Sequence, residues 1–199
     1  NEDITYLKSI GYEEDFLNYL KDLKFTGNIK SMQEGEICFG NEPLLRVEAP
    51  LIQAQLIETI LLNIINFQTL IANKARLIRQ FASHDSLMEF GTRRAQELDA
   101  ALWGARAAFI GGFDSTSNVR AGKLFNIPVS GTHAHALVQT YGDEYIAFKK
   151  YAERHKNCVF LVDTFHTLKS GVPTAIKVAK ELGDTINFIG IRLDSGVIA

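Results

Sequence analysis

The chain has 199 residues, of which 46% are hydrophobic and 22% are charged, and its formal net charge is −2. This composition is typical of a globular protein with one sizeable core or two small domains, and it argues against a strongly basic nucleic-acid-binding surface. The two cysteines, Cys38 and Cys158, are far apart and lie in apolar runs. They predict buried thiols in a reducing compartment, rather than a disulfide or metal ligands.

The first part of the chain predicts helices followed by strands. Residues 3–22 have apolar side chains at helical spacing, and residues 27–50 have short alternating runs punctuated by glycine and by Asn-Glu-Pro. Pro50 occupies a favoured helix-start position, and one long helix is predicted from Leu51 to about Ala82. Because its first half is apolar nearly all round, we expect this helix to be buried on several sides. Polar residues interrupt it, so no membrane span is predicted.

From about Leu87 onward, five short apolar runs alternate with helical segments. The runs are LMEFG, AAFIGG, IPVSG, CVFLVDT and INFIGIRLDS. Strands that alternate with helices predict a parallel sheet with right-handed crossovers, either doubly wound or barrel-like. We therefore predict an α/β fold with two parts: a small mixed α/β domain over residues 1–86, which contains the long buried helix, and five βα units over residues 87–199.

Polar side chains follow all five predicted strands, at the end of a parallel sheet where α/β proteins build their active sites. In chain order these groups are Phe90, Thr92, Arg93 and Arg94; Asp114, Ser115, Thr116, Ser117 and Asn118; Ser130, Thr132, His133 and His135; Asp163, Thr164 and His166; and Arg192, Asp194 and Ser195. Arginines and helix N-termini suit phosphate and carboxylate groups, whereas carboxylates suit Mg²⁺ or a cationic sugar transition state. This combination predicts a phosphorylated sugar as the ligand.

Three other chemistries are disfavoured by the same motifs. His133 and His135, in SGTHAHAL, have no cysteine or histidine partner at zinc-like spacing. The sequence has no Gly-x-Ser-x-Gly nucleophile elbow, and the glycines of GGFDSTSNVRAG lack the Gly-x-Gly-x-x-Gly spacing of a dinucleotide site. Structural zinc, a serine hydrolase and a Rossmann cofactor site are therefore not expected.

Five motifs, in this order, resemble the nicotinate phosphoribosyltransferase family: FGTRRAQ, RAAFIGGFDSTSNVRAG, IPVSGTHAHALV, LVDTFHTLKSGVP and GIRLDSG. The segment from residue 25 to residue 78 resembles the same family, so the resemblance covers nearly the whole chain. It implies part of an irregular TIM-like α/β barrel of a type II phosphoribosyltransferase. Family members are longer and both ends of the chain look cut, so an internal portion is expected. Val197 stands where the family motif has aspartate, which leaves one carboxylate near the ribose or the metal in doubt.

The resemblance implies a cytoplasmic, homodimeric enzyme of NAD biosynthesis. Such an enzyme forms nicotinate mononucleotide and pyrophosphate from nicotinate and phosphoribosyl pyrophosphate. ATP is expected as co-substrate, because the family couples turnover to phosphorylation of one histidine, and Mg²⁺ is expected as cofactor. No nucleic-acid or membrane partner is expected. Two alternatives stay open, a nicotinamide phosphoribosyltransferase and an inactive fragment of the nicotinate enzyme, although the hydroxyl groups of FDSTSN favour a carboxylate substrate over an amide.

The family pattern Gly-Thr-x-x-His implies that His135 is the phosphoacceptor, with His133 as a neighbour at the variable position. By the same resemblance, Asp163 and Asp194 are catalytic carboxylates that face the ribose and Mg²⁺. The implied substrate-binding residues are Phe90 on the pyridine ring, Arg93 at the phosphates, Thr132 and Arg192 at the nicotinate carboxylate, and Ser195.

Overall fold

The computed structural model describes residues 2–195. The chain divides into two compact units, Asn1–Pro128 and Val129–Ala199. Helices and strands occur in both, which confirms the mixed α/β class, and the described strands form three two-stranded sheets. The division predicted between residues 86 and 87 stays a prediction, and the compact units divide the chain at a different place.

The first unit begins with two short helices, α1 (Glu2–Ser9) and α2 (Glu14–Lys21), as the apolar spacing predicts. Acidic residues lie in the first turn of each helix and a lysine in the last turn, an arrangement that complements the helix dipole. Leu17, which is 1% exposed, anchors α2. Two strands follow, β1 (Asn28–Ser31) and β2 (Leu45–Glu48), and they pair antiparallel.

The long helix α3 runs from Leu51 to Phe81, directly after Pro50. Its predicted burial is wrong for this chain, because only Gln53 and Ala75 are buried among its described residues and Leu62 is 62% exposed. By length and composition alone α3 could cross a membrane, so the absence of a membrane span stays a prediction. An apolar pattern indicates that a helix surface should be buried, but it does not show that residues of the same chain segment bury it.

Arg79 fastens the C-terminal end of α3 to the segments that follow it. Its guanidinium donates to the backbone carbonyls of Gly112 (2.7 Å), Ala82 (3.0 Å) and Asp85 (2.7 Å). It also pairs with Asp114 at 2.5 Å. We call these contacts the Arg79 clamp.

The run AAFIGG, predicted as a strand, instead ends helix α4 (Glu97–Ile110). Alanine has the highest helix propensity, and the small residues of this run let α4 pack closely against α3. The strand that follows this helix is β4 (Ser115–Thr116), and it pairs in parallel with β3 (Met88–Glu89), which lies before α4 in the sequence. Helix α5 (Val119–Phe125) follows, capped by the side chain of the preceding asparagine.

The helical segment predicted between the third and fourth runs consists of two helices in the second unit. They are α6 (His135–Tyr141) and α7 (Glu144–Ala152). Gly142 ends α6 with a left-handed φ of +66°, and Asp143 caps α7 by accepting a backbone N–H. Both breaks follow from residue types that favour helix ends.

Strands β5 (Asn157–Leu161) and β6 (Asn187–Arg192) of the second unit pair in parallel, as predicted. Helices α7 and α8 (Val172–Leu182) bury apolar side chains against them, and Phe148 and Phe160 are fully buried in this core. The buried residues Cys158, Phe160 and Val162 alternate along β5 and the residue after it, so the core lies against one face of this strand pair.

A close backbone approach fixes the start of α8. Gly171 lies where an added Cβ atom would be 1.8 Å from the carbonyl oxygen of Val162. The N–H of Val162 donates to the carbonyl of Arg192 (3.2 Å), which extends the strand pairing past the end of β5. The segments that follow the two strands therefore run side by side.

Candidate functional site

The second unit brings together six of the residues predicted to form the site. They come from the loop before α6, from the first residue of α6, from the last residue of β6 and from the segments after β5 and β6. These residues are Thr132, His135, Asp163, Arg192, Asp194 and Ser195. Their predicted roles stay predictions, but their proximity is a feature of the fold.

Asp163 organises the loop that follows β6. Its Oδ2 accepts hydrogen bonds from the backbone N–H groups of Asp194 and Ser195, both at 2.6 Å, and from the Ser195 hydroxyl at 2.9 Å. Burial alone would raise the pKa of this carboxyl, but the hydrogen bonds outweigh it and hold the pKa below its usual value. Asp163 is therefore an ionised carboxylate at neutral pH, with its side chain 3% exposed.

His135, at the start of α6, lies between a hydroxyl group and two carboxylates. Its Nδ1 is 3.0 Å from Oγ1 of Thr164. Its Nε2 is 3.6 Å from Oδ2 of Asp194 and 3.9 Å from Oδ1 of Asp163. The side chain is 30% exposed, so a ligand can reach the imidazole. Both ring nitrogens thus have polar surroundings of different character.

The guanidinium of Arg192 is held by two side chains, those of Thr132 and Asp194. Its Nη1 donates to Oγ1 of Thr132 and its Nη2 donates to Oδ1 of Asp194, both at 2.5 Å. These three side chains form a charge-assisted cluster at the end of β6. Asp194 consequently has one oxygen on Arg192 and its other oxygen facing His135.

Thr164 is the residue of this site to which sequence reasoning gave no role. It directly follows Asp163 at the end of a predicted strand, and that position was the available signal. His133, by contrast, is 7% exposed and points into the aromatic core, with its ring 4.8 Å from that of Tyr151. Its Nε2 accepts the Leu161 N–H at 3.0 Å, and burial lowers the pKa of the imidazole.

Two predicted substrate-binding residues, Phe90 and Arg93, belong to the first unit. Phe90 is half-buried directly after β3, and Arg93 is exposed in the short 3₁₀ turn that follows. Nearby polar groups have structural partners: the Thr116 hydroxyl donates to Glu89 at 2.6 Å, and Asp114 belongs to the Arg79 clamp. The roles predicted for Phe90 and Arg93 stay predictions.

Metal binding by protein groups alone has little support within residues 2–195. No cluster of three or more histidine, cysteine or acidic side chains there could hold an ion. However, Oδ1 of Asp163 is buried without a hydrogen-bond partner in this part of the chain, and Oδ2 of Asp194 faces the same histidine nitrogen. One or two carboxylates fit Mg²⁺ when substrate phosphates supply further oxygens. Val197, the position where the family motif has aspartate, lies outside the described residues.

Two family descriptions match the chain along most of its length. The nicotinate phosphoribosyltransferase N-terminal domain matches residues 1–66, and the nicotinate phosphoribosyltransferase family domain matches residues 86–199. The second match alone covers more than half of the sequence. The chain belongs to the nicotinate phosphoribosyltransferase family.

Individual proteins of the nicotinate phosphoribosyltransferase family agree with this membership. The chain is 68% identical over its whole length to nicotinate phosphoribosyltransferase of Bacillus subtilis and covers 41% of that protein. It is 39% identical to nicotinate phosphoribosyltransferase pncB2 of Mycobacterium tuberculosis, with 98% of this chain and 42% of that protein covered. The chain therefore spans about two-fifths of the length of these curated relatives.

Solved structures show the same fold. The crystal structure of human nicotinic acid phosphoribosyltransferase superposes with a TM-score of 0.87 at 29% identity, over 98% of this chain and 50% of the human chain. The nicotinate-nucleotide pyrophosphorylase of Pyrococcus furiosus superposes with a TM-score of 0.77 at 31% identity, over 86% of this chain and 43% of that chain.

Proposed function

We propose that the protein to which this chain belongs is a nicotinate phosphoribosyltransferase of NAD biosynthesis. It would form nicotinate mononucleotide and pyrophosphate from nicotinate and phosphoribosyl pyrophosphate, coupled to ATP hydrolysis. The observation that carries the proposal is the cluster in which His135 lies beside two carboxylates and the paired Arg192 and Thr132, within a chain of this family.

The carboxylates suit displacement at the anomeric carbon of ribose. The transition state of such a displacement resembles an oxocarbenium ion, so the site must stabilise positive charge on the sugar. Asp163 is ionised and immobilised by three hydrogen bonds, and it therefore presents a fixed negative charge. Asp194 adds a second carboxylate within the same cluster.

Arg192 and Thr132 suit the carboxylate of nicotinate. A guanidinium group is a planar, permanently charged fork that matches a carboxylate in two-point contact, and a hydroxyl group beside it can donate a third hydrogen bond. A neutral amide gains much less from this arrangement. The geometry therefore favours nicotinate over nicotinamide as the base.

The surroundings of His135 suit a phosphoacceptor. The two carboxylates near Nε2 can accept a hydrogen bond from that nitrogen, which leaves the Nδ1 lone pair to attack the γ-phosphoryl group of ATP and release ADP. The Thr164 hydroxyl beside Nδ1 can donate to the incoming phosphoryl oxygens. Mg²⁺, held by Asp163 and Asp194 together with substrate phosphates, would supply charge neutralisation of the leaving pyrophosphate.

The larger architecture belongs to the same proposal. The parallel strand pairs and the alternation of strands with helices support an irregular TIM-like barrel in the full-length protein. The exposed apolar residues of α3 form a surface that a second subunit could bury. We propose that the full-length protein is a cytoplasmic homodimer.

The test is ATP-dependent phosphorylation of the full-length protein. The wild type incubated with γ-labelled ATP should acquire acid-labile phosphate and should convert nicotinate to its mononucleotide. His135→Ala should abolish both the label and ATP-coupled turnover. His84→Ala, which removes an exposed histidine of the first unit, is the matched control and should behave like the wild type. Acid-labile phosphate that persists in His135→Ala would refute the assignment of the phosphoacceptor.

A further inference from the structure

The carboxylate of Asp194 lies between the guanidinium of Arg192 and the imidazole of His135. Oδ1 accepts a hydrogen bond from Nη2 of Arg192 at 2.5 Å, and Oδ2 lies 3.6 Å from Nε2 of His135. The arginine therefore already carries a carboxylate before any anionic ligand arrives. The three side chains are between 24% and 30% exposed, so they are accessible to a ligand.

We propose that Asp194 is a switchable counter-ion, which occupies Arg192 in the empty site and shifts towards His135 when a ligand carboxylate takes its place. This inference rests on the proposed function, because it takes Arg192 as the group that binds the base. A second carboxylate at the same edge of the guanidinium would repel Asp194 across a few ångströms. The nearby imidazole gives the displaced carboxylate a new hydrogen-bond donor without a large movement.

Asp163 does not fit this role, although its Oδ1 also lies near Nε2 of His135, at 3.9 Å. Its Oδ2 is fixed by three donors from the loop after β6, and its side chain is almost completely buried. Movement of Asp163 would release that loop. The carboxylate of Asp194 is held by Nη2 of Arg192, and a short rotation of the Asp194 side chain would transfer its charge to His135.

The arrangement makes the two ends of the site interdependent. A ligand carboxylate on Arg192 drives Asp194 from Nη2 of the guanidinium towards Nε2 of His135. Conversely, a hydrogen bond between Nε2 of His135 and Asp194 draws the carboxylate away and leaves Nη2 of Arg192 to the ligand, since coupling between two sites is reciprocal. Nicotinate binding would thus bring Asp194 to the imidazole, and the empty site would hold the arginine in a self-neutralised form.

The test is a double-mutant cycle on nicotinate affinity, measured by calorimetry on the full-length protein. Asp194→Asn keeps the shape but removes the competing charge, so it should tighten nicotinate binding by about three- to tenfold, the range of a partly exposed ion pair. His135→Ala should weaken binding by a similar factor in the wild-type background, because Asp194 then has no alternative donor. In the Asp194→Asn background, His135→Ala should have no effect.

Two controls separate this coupling from general charge effects. Nicotinamide has no carboxylate to compete with Asp194. Its affinity should therefore change by less than about twofold across the cycle, which is the size of effect that ordinary surface substitutions have. Asp184→Asn removes an exposed carboxylate of the same unit and should leave nicotinate affinity unchanged. Additive effects of the two substitutions, or weaker nicotinate binding in Asp194→Asn, would overturn the switch.

The outcome for the proposed function is read separately, from turnover of the wild type. A wild type that converts nicotinate while the cycle is additive keeps the function and loses the switch. A wild type that neither binds nor converts nicotinate loses both. Arg192→Ala that leaves nicotinate affinity unchanged also overturns the switch, because the counter-ion would then have no ligand to yield to.

Discussion

Replacing Arg192 with alanine should raise the KM for nicotinate much more than the KM for phosphoribosyl pyrophosphate. In the structure the guanidinium makes one charge-assisted hydrogen bond to Asp194 and one bond to Thr132. A hydrogen bond to a charged group contributes about 1.5–3 kcal/mol, and partial exposure of the site reduces the upper end. A loss of about 2 kcal/mol corresponds to a KM about thirtyfold higher.

The assay is a steady-state comparison of nicotinate and nicotinamide with the full-length wild type and variants. Arg192→Lys is the matched control, because it keeps the charge but loses the planar fork, and its effect should lie between those of the wild type and Arg192→Ala. An unchanged ratio of kcat/KM for the two bases in Arg192→Ala would refute the reasoning. Thr132 or the backbone around it would then set specificity, and Arg192 would serve the phosphates.

Three further outcomes test the fold around the site. Asp163→Asn should lower the free energy of unfolding at pH 7 by about 1–3 kcal/mol, and denaturant titrations should show that the difference shrinks as pH falls. The sign follows from the lowered pKa of Asp163. The stability that the ionised carboxylate contributes is present above the ordinary pKa near 3.8 and is lost as pH falls through the lower pKa of the native protein. A stability difference that stays constant down to about pH 2 would contradict this reasoning. Gly171→Ala should destabilise by about 3 kcal/mol or more, because its Cβ would overlap the Val162 carbonyl, whereas Gly190→Ala, with open space around it, should change stability by less than about 1 kcal/mol; equal thermal midpoints would contradict this. Leu62→Glu on α3 should shift the full-length protein towards monomer in sedimentation experiments, and an unchanged oligomeric state would show that this face is not covered by a second subunit.

Much of the site was predictable because parallel strands align their C-terminal ends. Asp163 and Asp194 are 31 residues apart in sequence, yet both follow apolar runs that read as strands, and the rule for parallel sheets places such residues together. The motif around His135 gave its location by resemblance. The ring's actual partners were not predictable, since hydrogen bonds such as the one to Thr164 depend on side-chain direction.

The errors in the sequence interpretation have specific physical causes. A short apolar run such as AAFI fits a buried strand and a buried helix equally well, and its alanines are strong helix formers. The sequence of helix α3 shows an apolar surface that should be buried. The sequence does not show which residues bury it, and most of this surface is exposed in the described part of the chain. Burial depends on what packs against a surface, which is information that a local pattern does not contain.

In mechanical terms, α3 is a stiff rod whose C-terminal end is held by the Arg79 clamp. Its 31 residues make it about 46 Å long at the rise of an α-helix. The Arg79 clamp joins that end to the backbone around Asp85 and Gly112, so a torque on the exposed apolar surface of the helix is carried into the segments that flank β3 and β4. Burial of the α3 surface by a partner should therefore stiffen those segments without direct contact. Slower hydrogen exchange at the Leu87 amide, which donates to Asp114, would report this stiffening.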